Sequence, residues 1–522
     1  MYDLLIKNGK IIDGTGSPSY FADVAIKDGK IVRIGKALSG AAETIDASGL
    51  CVTPGFIDSH AHADSNILAY PEQREKVEQG ITTCIAGQCG SSVAPISKTA
   101  VPEDYKQYGG IIGDEYKLRQ SYDGFFNVAK QLPQGCNIAV LLGHGSLRRS
   151  VMGFENREPT KEELEEMKRR VRAAMECGAL GMSFGLYYAP GCYAKTDEAI
   201  ALAKIVGEYH GLIAAHIRDE EEYLVKAVRE FITIARESGT RAVISHHKSY
   251  GKPENWGKVT HTLRMIDEAN AEGLEVYCDV YPYIASGTTI SSVFLPNTEH
   301  TKPKAQLIAD LKTPEYREKI RKFITEMYGP DFSWVQTTSG NPYPDCQGMT
   351  IPEIAEKKGK DPFDALFDLW IDSKLNVSAA FFSMCEEDVE TVIAHPRAMI
   401  CTDSGNAAAN KYYHPRLRAT FPRALGKYVR ERKVVSLPEM IRKITAMPAR
   451  VYSLPTKGLI WENMDADICI FDENTIKDKA TFRDIKARAE GLRYVLVSGK
   501  IVVKDAVSNG EKYGKVVLYN ER

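Results

Sequence analysis

The chain has 522 residues, 43% of them hydrophobic, which is too long for one small domain and apolar enough for at least one large core. Its 67 basic side chains nearly cancel 69 acidic ones, for a formal charge of -2. No long run of one sign offers a surface to nucleic acid or to an anionic membrane, so neither is expected as a partner.

At the start, "MYDLLIKNGKIIDGTG" places Asp3, Lys7 and Lys10 where a signal peptide would need its apolar core. The longest uncharged stretch, Gly178 to Ala194, is broken by glycines and a proline and cannot form a membrane helix. Eleven cysteines without paired spacing suit a reducing compartment, and a soluble, cytoplasmic protein is expected.

Residues 1–53 read as short alternating strands whose turns are marked by "NGK" and "DGK". Residues 459–522 repeat the style in "KGLIWENMDADICIFD" and "RYVLVSGKIVVKDA". The two chain ends are therefore expected to combine into one β-sandwich flanking the segment between them.

Within residues 54–458, short apolar runs alternate with amphipathic helical stretches, the pattern of a parallel sheet with crossover helices. Eight candidate strands follow in order: "GFIDSH" (55–60), "ITTCIAG" (81–87), "NIAVLLG" (137–143), "ALGMSFG" (179–185), "LIAAH" (212–216), "RAVISH" (241–246), "LEVYCDVY" (274–281) and "AMICTD" (398–403). An α/β chain with a closed (β/α)8 barrel is the expected architecture. More than a hundred residues separate the last two strands, whereas a crossover unit needs about thirty. The stretch 287–345 therefore reads as an insertion near the barrel mouth, with the character of a lid.

Barrel enzymes place their chemistry at the carboxyl ends of the strands. Those ends carry His60 and His62, Cys89, His144, His216, His246 or His247, and Asp403. Nitrogen, sulfur and carboxylate donors delivered by separate strands to one rim are what an open catalytic metal site requires. Alternation lets His60 and His62 chelate together, and it lets only one of His246 and His247 face inward, with Lys248 sharing the parity of His246. Asp403, at the end of the final strand, could accept a proton from a metal-activated water or cap a helix.

The succession "PGFIDSHAH", "GQCGSS", "LLGHGSLR", "SFGLYYAPGCYA", "AHIRDE", "ISHHKSYGKPENWG", "DVYPYIASGTT" and "HPRLRATFPRALGKYVRE" resembles the N-acyl-D-amino-acid deacylase (D-aminoacylase) family of the amidohydrolase superfamily. The resemblance runs in order from about residue 54 to 450. It implies zinc-dependent hydrolysis of an N-acyl-D-amino acid to a carboxylate and a free D-amino acid. It also implies a cysteine in place of the carbamylated lysine of many binuclear relatives, and "MSFG" indeed offers no lysine at the fourth strand.

Carried over by residue, Cys89, His216 and His246 hold one tightly bound zinc, while His60 and His62 line a second, weaker position. Lys248, Tyr283 and Arg416 clamp the substrate carboxylate, Asp403 is the general base and acid, and His144 assists at the oxyanion or is structural. A single acid, Asp64, after "HAH", glutamine before Cys89 and threonine before Asp403 depart from the family's usual pattern and bear on substrate preference. Two other readings compete. A cyclic-amide hydrolase of the dihydropyrimidinase or dihydroorotase kind usually wants the missing lysine, and a non-catalytic barrel scaffold would have lost its ligands.

Overall fold

The structure is a computed structural model that describes residues 1–97, 115–406 and 413–519. All eight expected strands form, Leu212–His216 over its whole apolar run and the others somewhat shorter than theirs. They are Phe56–Asp58, Ile81–Ala86, Asn137–Val140 continued by Leu142–Gly143, Gly181–Gly185, Leu212–His216, Arg241–Ile244, Val276–Val280 and Ala398–Ile400. The first three pair in parallel in one sheet, and the run from Leu142–Gly143 to Ala398–Ile400 pairs in parallel in another.

Two seams join these sheets. Leu141 N–H donates to Ala86 O at 2.9 Å, and Ala61 bridges in parallel to Ser404. Side chains from one face, among them Ile57, Ile85, Leu141, Ala214, Val243 and Met399, gather into a single interior cluster. The opposite face packs on the helices, so the strands are apolar on both sides, which is why they read as continuous rather than alternating runs.

The crossover helices form for local reasons. Lys161–Cys177 starts at a capping box in which Thr160 Oγ1 accepts the Glu163 N–H and Glu163 returns the bond, and it stops at Gly178 with φ +106°. Its stripe of Met167, Val171, Ala174 and Met175 is buried. Leu224–Ser238 buries Phe231 and Ile234 and ends at Gly239. Truncating Phe231 to alanine would cost about 3–5 kcal/mol in a core this tightly filled.

The two chain ends share one nine-stranded sheet. Cys51–Pro54 pairs with Ile468–Phe471 in antiparallel fashion, and N-terminal hairpins extend one side while C-terminal hairpins extend the other. Between the seventh and eighth parallel strands, Ser286–Thr289, Ser378–Phe381 and Val335–Thr337 form a separate antiparallel sheet. Its central strand lies beyond residue 345, because long-range antiparallel pairing leaves no local sign of its partner. All eleven cysteines are free thiols. Among the described residues no helix is long and apolar enough to cross a membrane.

Candidate metal centre

The loop after the second strand is pulled across to the fourth. Ser183 Oγ donates to Gly87 O at 2.5 Å and accepts the Gly90 N–H at 3.0 Å. Buried Asp64 accepts the N–H groups of Gly87 (3.1 Å) and Val93 (2.8 Å). A Cβ on Gly185 would meet Cys89 O at 2.2 Å, so only glycine lets the loop lie this close to the fourth strand. The Cys89 loop thus lies directly against the fourth strand, whose sequence carries no lysine. Cys89 itself has φ +53°, a left-handed conformation that costs a non-glycine residue on the order of 1–3 kcal/mol and persists only where its surroundings fix it.

Cys89 Sγ lies 3.3 Å from His60 Nε2, 3.3 Å from His246 Nε2 and 3.9 Å from His216 Nδ1. Donor atoms of His60, Cys89, His246 and Asp403 all lie within 4.8 Å of one another, as do those of His216, Glu220 and His246. Tetrahedral zinc with ordinary Zn–S and Zn–N bonds holds its ligand atoms roughly 3.5 Å apart, so both spacing and donor chemistry fit that metal. Burial alone would push the Cys89 thiol up, but the imidazoles of His60 and His246 outweigh it and hold the thiol well below the ordinary cysteine range. The site is therefore built around a thiolate.

His62 stands beside this cluster with Nε2 3.1 Å from Asp403 Oδ1. Burial opposes its charge, yet the bonds to Asp403 and Cys89 raise the imidazole to about 9. The strand pleat does not aim this histidine pair, since the ladder ends at Asp58. The eighth strand aims it instead, with Asp403 N–H donating to His60 O (2.9 Å) and His62 N–H to Ser404 O (3.0 Å).

His246 also has positive φ, +36°. Its N–H donates to Asp279 Oδ1 at 2.5 Å, and its Nδ1 is 3.1 Å from Glu220 Oε1. A proton on Nδ1 directed at Glu220 leaves the Nε2 lone pair facing the sulfur, the tautomer a metal needs. Glu220 Oε2 also lies 3.6 Å from His216 Nε2, so one carboxylate orients two candidate ligands. Burial pushes Glu220 up, but Lys248 and the two histidines hold it well below the carboxylate range. Lys248 Nζ donates to Glu220 Oε1 (2.6 Å) and His246 O (2.9 Å). Lys248 Nζ also lies 2.9 Å from His246 Nδ1, and with the proton on that Nδ1 the ring cannot accept from the lysine, whose third N–H is then left for a ligand. His247 turns the other way, to Thr262 Oγ1 at 2.8 Å, and burial pushes it down to about 3.

Asp403, at φ +46°, is held from both sides. Arg416 Nη1 sits 2.9 Å from Asp403 Oδ2 in a direction that makes no hydrogen bond, leaving that nitrogen a donor without a partner, while Nη2 donates to Gly287 O at 3.1 Å. Burial pushes the Asp403 carboxyl up, but Arg416 and the bond from His62 hold it well below the carboxylate range. Beneath it, fully buried Lys76 donates to Asp58 Oδ2 (3.0 Å), Thr402 Oγ1 (2.8 Å) and Ser404 O (2.9 Å). Asp58 in turn accepts Thr402 N–H at 2.8 Å. Both neighbours of Asp403 are thereby locked to one buried ion pair.

These groups open into a cavity of about 470 Å³ whose walls include His62, Cys89, His216, His246, Lys248, Asp403 and Arg416. His60 lies fully buried at its base, within the same cluster. His144 and Tyr283 are not among the lining residues. His144 begins the helix His144–Met152 and bonds to Glu198 Oε1 at 2.9 Å, in a buried group with Arg148. Tyr283 packs edge-on to His414 and under the Arg423 guanidinium. Sequence reasoning missed Glu220, Asp279, Asp58 and Lys76. Only Glu220 carries a signal, four residues after His216.

Thiolate, imidazole and carboxylate donors meeting where parallel strands end define the centre of a metal-dependent hydrolase class. The chain belongs to the amidohydrolase family, whose model matches residues 43–311 and 336–503. It is 33% identical over 519 residues to a D-aminoacylase of Alcaligenes xylosoxydans xylosoxydans, covering 99% of this chain and 97% of that protein. It is 34% identical over 505 residues to an N-acyl-D-glutamate deacylase of the same organism, covering 97% of this chain and 94% of that one. The crystal structure of an N-acyl-D-glutamate deacylase from Bordetella bronchiseptica, complexed with zinc and a phosphonate mimic of the tetrahedral intermediate, superposes with a TM-score of 0.84 at 33% identity. That match covers 99% of each chain, and the fold is the amidohydrolase fold.

Proposed function

We propose that this protein is a zinc-dependent deacylase that hydrolyses the amide bond of N-acyl-D-amino acids, giving a carboxylate and a free D-amino acid. The observation that carries it is Cys89 Sγ, 3.3 Å from two imidazoles and 3.9 Å from a third, in a chain similar along its whole length to D-aminoacylase. Cys89, His216 and His246 hold the tight zinc. His60 and His62 line the weaker position, with the sulfur, which is as near His60 as His246, able to serve both. When bound, zinc polarises the scissile carbonyl and makes a water acidic enough to react near neutral pH.

Asp403 takes the proton of the attacking water and returns it to the leaving nitrogen. Arg416 and His62 keep its carboxyl ionised, so it carries no proton of its own when the water attacks. The unused Nη1 donor on Arg416 and the third donor on Lys248 bind the substrate carboxylate, Arg416 by a charge-assisted hydrogen bond and Lys248 as a point charge. Tyr283, behind this clamp, and His144, paired to Glu198, support the walls. The missing fourth-strand lysine weighs against cyclic-amide hydrolysis, and the complete donor set weighs against a scaffold.

The seams at Leu141 and Ala61 and the shared interior cluster support one closed (β/α)8 barrel over residues 54–458. Residues 1–53 and 459–522 make up the flanking β-sandwich, and the insertion around 287–345 helps cover the mouth. The free thiols suit the cytoplasm. The test of the chemistry is Asp403→Asn. It should keep its zinc and lose on the order of 10²–10⁴ in kcat, and near-normal turnover in a zinc-loaded variant would refute the role of Asp403.

A further inference from the structure

The cavity continues past the metal centre into a corner that none of these steps uses. Glu221 lines it, and among the described residues its carboxylate forms no direct ion pair, Lys252 and Lys258 acting on it only from a distance. The nearby Lys258 ammonium is spent on the carbonyls of Glu221 and Glu222 (3.1 Å each) and on Asn255 Oδ1 (2.6 Å). Asp219 lines the same corner and fixes the turn by accepting the N–H groups of Glu221 (2.8 Å) and Tyr223 (2.9 Å).

Tyrosines complete the enclosure. Tyr187 and Tyr250 line the cavity, and Tyr328 stands within electrostatic reach of both and of Glu221. Tyr250 is only 7% exposed, and its hydroxyl has no hydrogen-bond partner, although Ser286 and Ser383 lie close by. An unpaired carboxylate, aromatic faces and a buried hydroxyl with free acceptor capacity together form an environment that attracts a cation and repels an anion.

We propose that this corner binds a cation at the end of the substrate side chain, so that the preferred substrates are N-acyl derivatives of basic D-amino acids of the lysine or arginine kind. The inference rests on the deacylase reading. Tyr250 is two residues beyond Lys248, and Glu220, next to Glu221, holds the Lys248 ammonium. The α-carboxylate and the side chain branch from one carbon, so a pocket beside the carboxylate clamp receives the side chain. The acyl group lies across the scissile bond.

The test compares kcat/KM for N-acetyl-D-lysine with that for its uncharged analogue N-acetyl-D-norleucine, and for N-acetyl-D-arginine with N-acetyl-D-glutamate, using the zinc-loaded protein. The basic substrate should win each comparison by about tenfold or more, chiefly through KM. Glu221→Gln should collapse the lysine-to-norleucine ratio towards one, and Glu221→Lys should shift preference towards N-acetyl-D-glutamate. A thermal melt of each variant shows that it is folded. Turnover of neutral or acidic D-substrates in preference to basic ones, or a ratio unchanged in Glu221→Gln, overturns the cation pocket and leaves the deacylase reading standing. No turnover of any N-acyl-D-amino acid overturns both.

Discussion

Two regions of this molecule use the same left-handed backbone conformation for opposite ends. In the outer sheet, apart from Asn8 at a bulge, it marks hairpin tips: Asp28 and Gly29 at +49° and +74°, Ser498 and Gly499 at +50° and +74°, Asp505 and Ala506 at +47° and +57°. Two-residue turns of this hand match the twist of the strands they join, so the conformation serves local folding. At the rim it falls on Cys89, His246 and Asp403, side chains with no turn of that kind to make. There the conformation turns a functional side chain inward, and the surrounding bonds bear the strain: Ser183 and Asp64 around Cys89, Asp279 at His246, Lys76 and Asp58 around Asp403. Strain at the rim is thus tied to the site, and at the hairpins it is tied only to stability.

The largest effect that separates the regions is expected from Cys89→Ala. It removes the shared thiolate and should abolish both tight zinc binding and activity, the latter by at least about 10³-fold, read by metal analysis beside kinetics. His62→Ala should impair activity more than it depletes zinc. Equal zinc loss in the two variants would replace the tight-and-weak picture with an ordinary binuclear site.

Next comes Lys76→Met. It leaves Asp58 buried without its cation, and breaking a buried pair from one side costs about 3–5 kcal/mol. We expect a lower melting temperature together with a fall in kcat at unchanged zinc content, because both neighbours of Asp403 lose their anchor. A variant that melts early yet keeps full kcat would reduce the ion pair to a purely structural role.

A smaller effect concerns pH. Burial holds His247 down to about 3, so the unfolded chain binds a proton that the folded one refuses. The corresponding stability is complete above the ordinary histidine range, near 6.5, and is lost as pH falls from there towards 3. His247→Gln should flatten this part of the stability-pH curve, measured by denaturant melts. A slope unchanged in the variant would assign the acid sensitivity elsewhere.

The smallest effect belongs to the outer sheet. Gly29→Ala places a Cβ 3.2 Å from Ser498 O at a positive φ and should cost about 1 kcal/mol with no change in kcat/KM. An activity loss there would join the two regions that this comparison separates.

The same contrast explains what could be read from sequence. Hairpins announce themselves through "DGK" and "SGK", and strands buried on both faces announce themselves as apolar runs, so the eight parallel strands were legible in order. His60, His62, Cys89, His216, His246 and Asp403 were legible because each follows a run of that kind. Lys76, in "PEQREKVEQG", looks like any solvated helix residue, and nothing in the letters distinguishes its fully buried ammonium. Glu220 sits in an acidic stretch that suggests solvent, and only its spacing from His216 hints at the histidine it orients. Alternation leaves open which of His246 and His247 faces inward, because the strand stops at Ile244 and a turn beyond it decides which ring does.

The most direct test of the account is a chirality and bond-type panel on the zinc-loaded protein: N-acetyl-D-methionine, N-acetyl-L-methionine, and a hydantoin or dihydropyrimidine. The account predicts hydrolysis of the linear D-amide, with the L-enantiomer and the cyclic amides slower by about 100-fold or more. Ring opening of the cyclic amides, or turnover of the L-enantiomer, at a rate equal to or above that of the D-amide would contradict it.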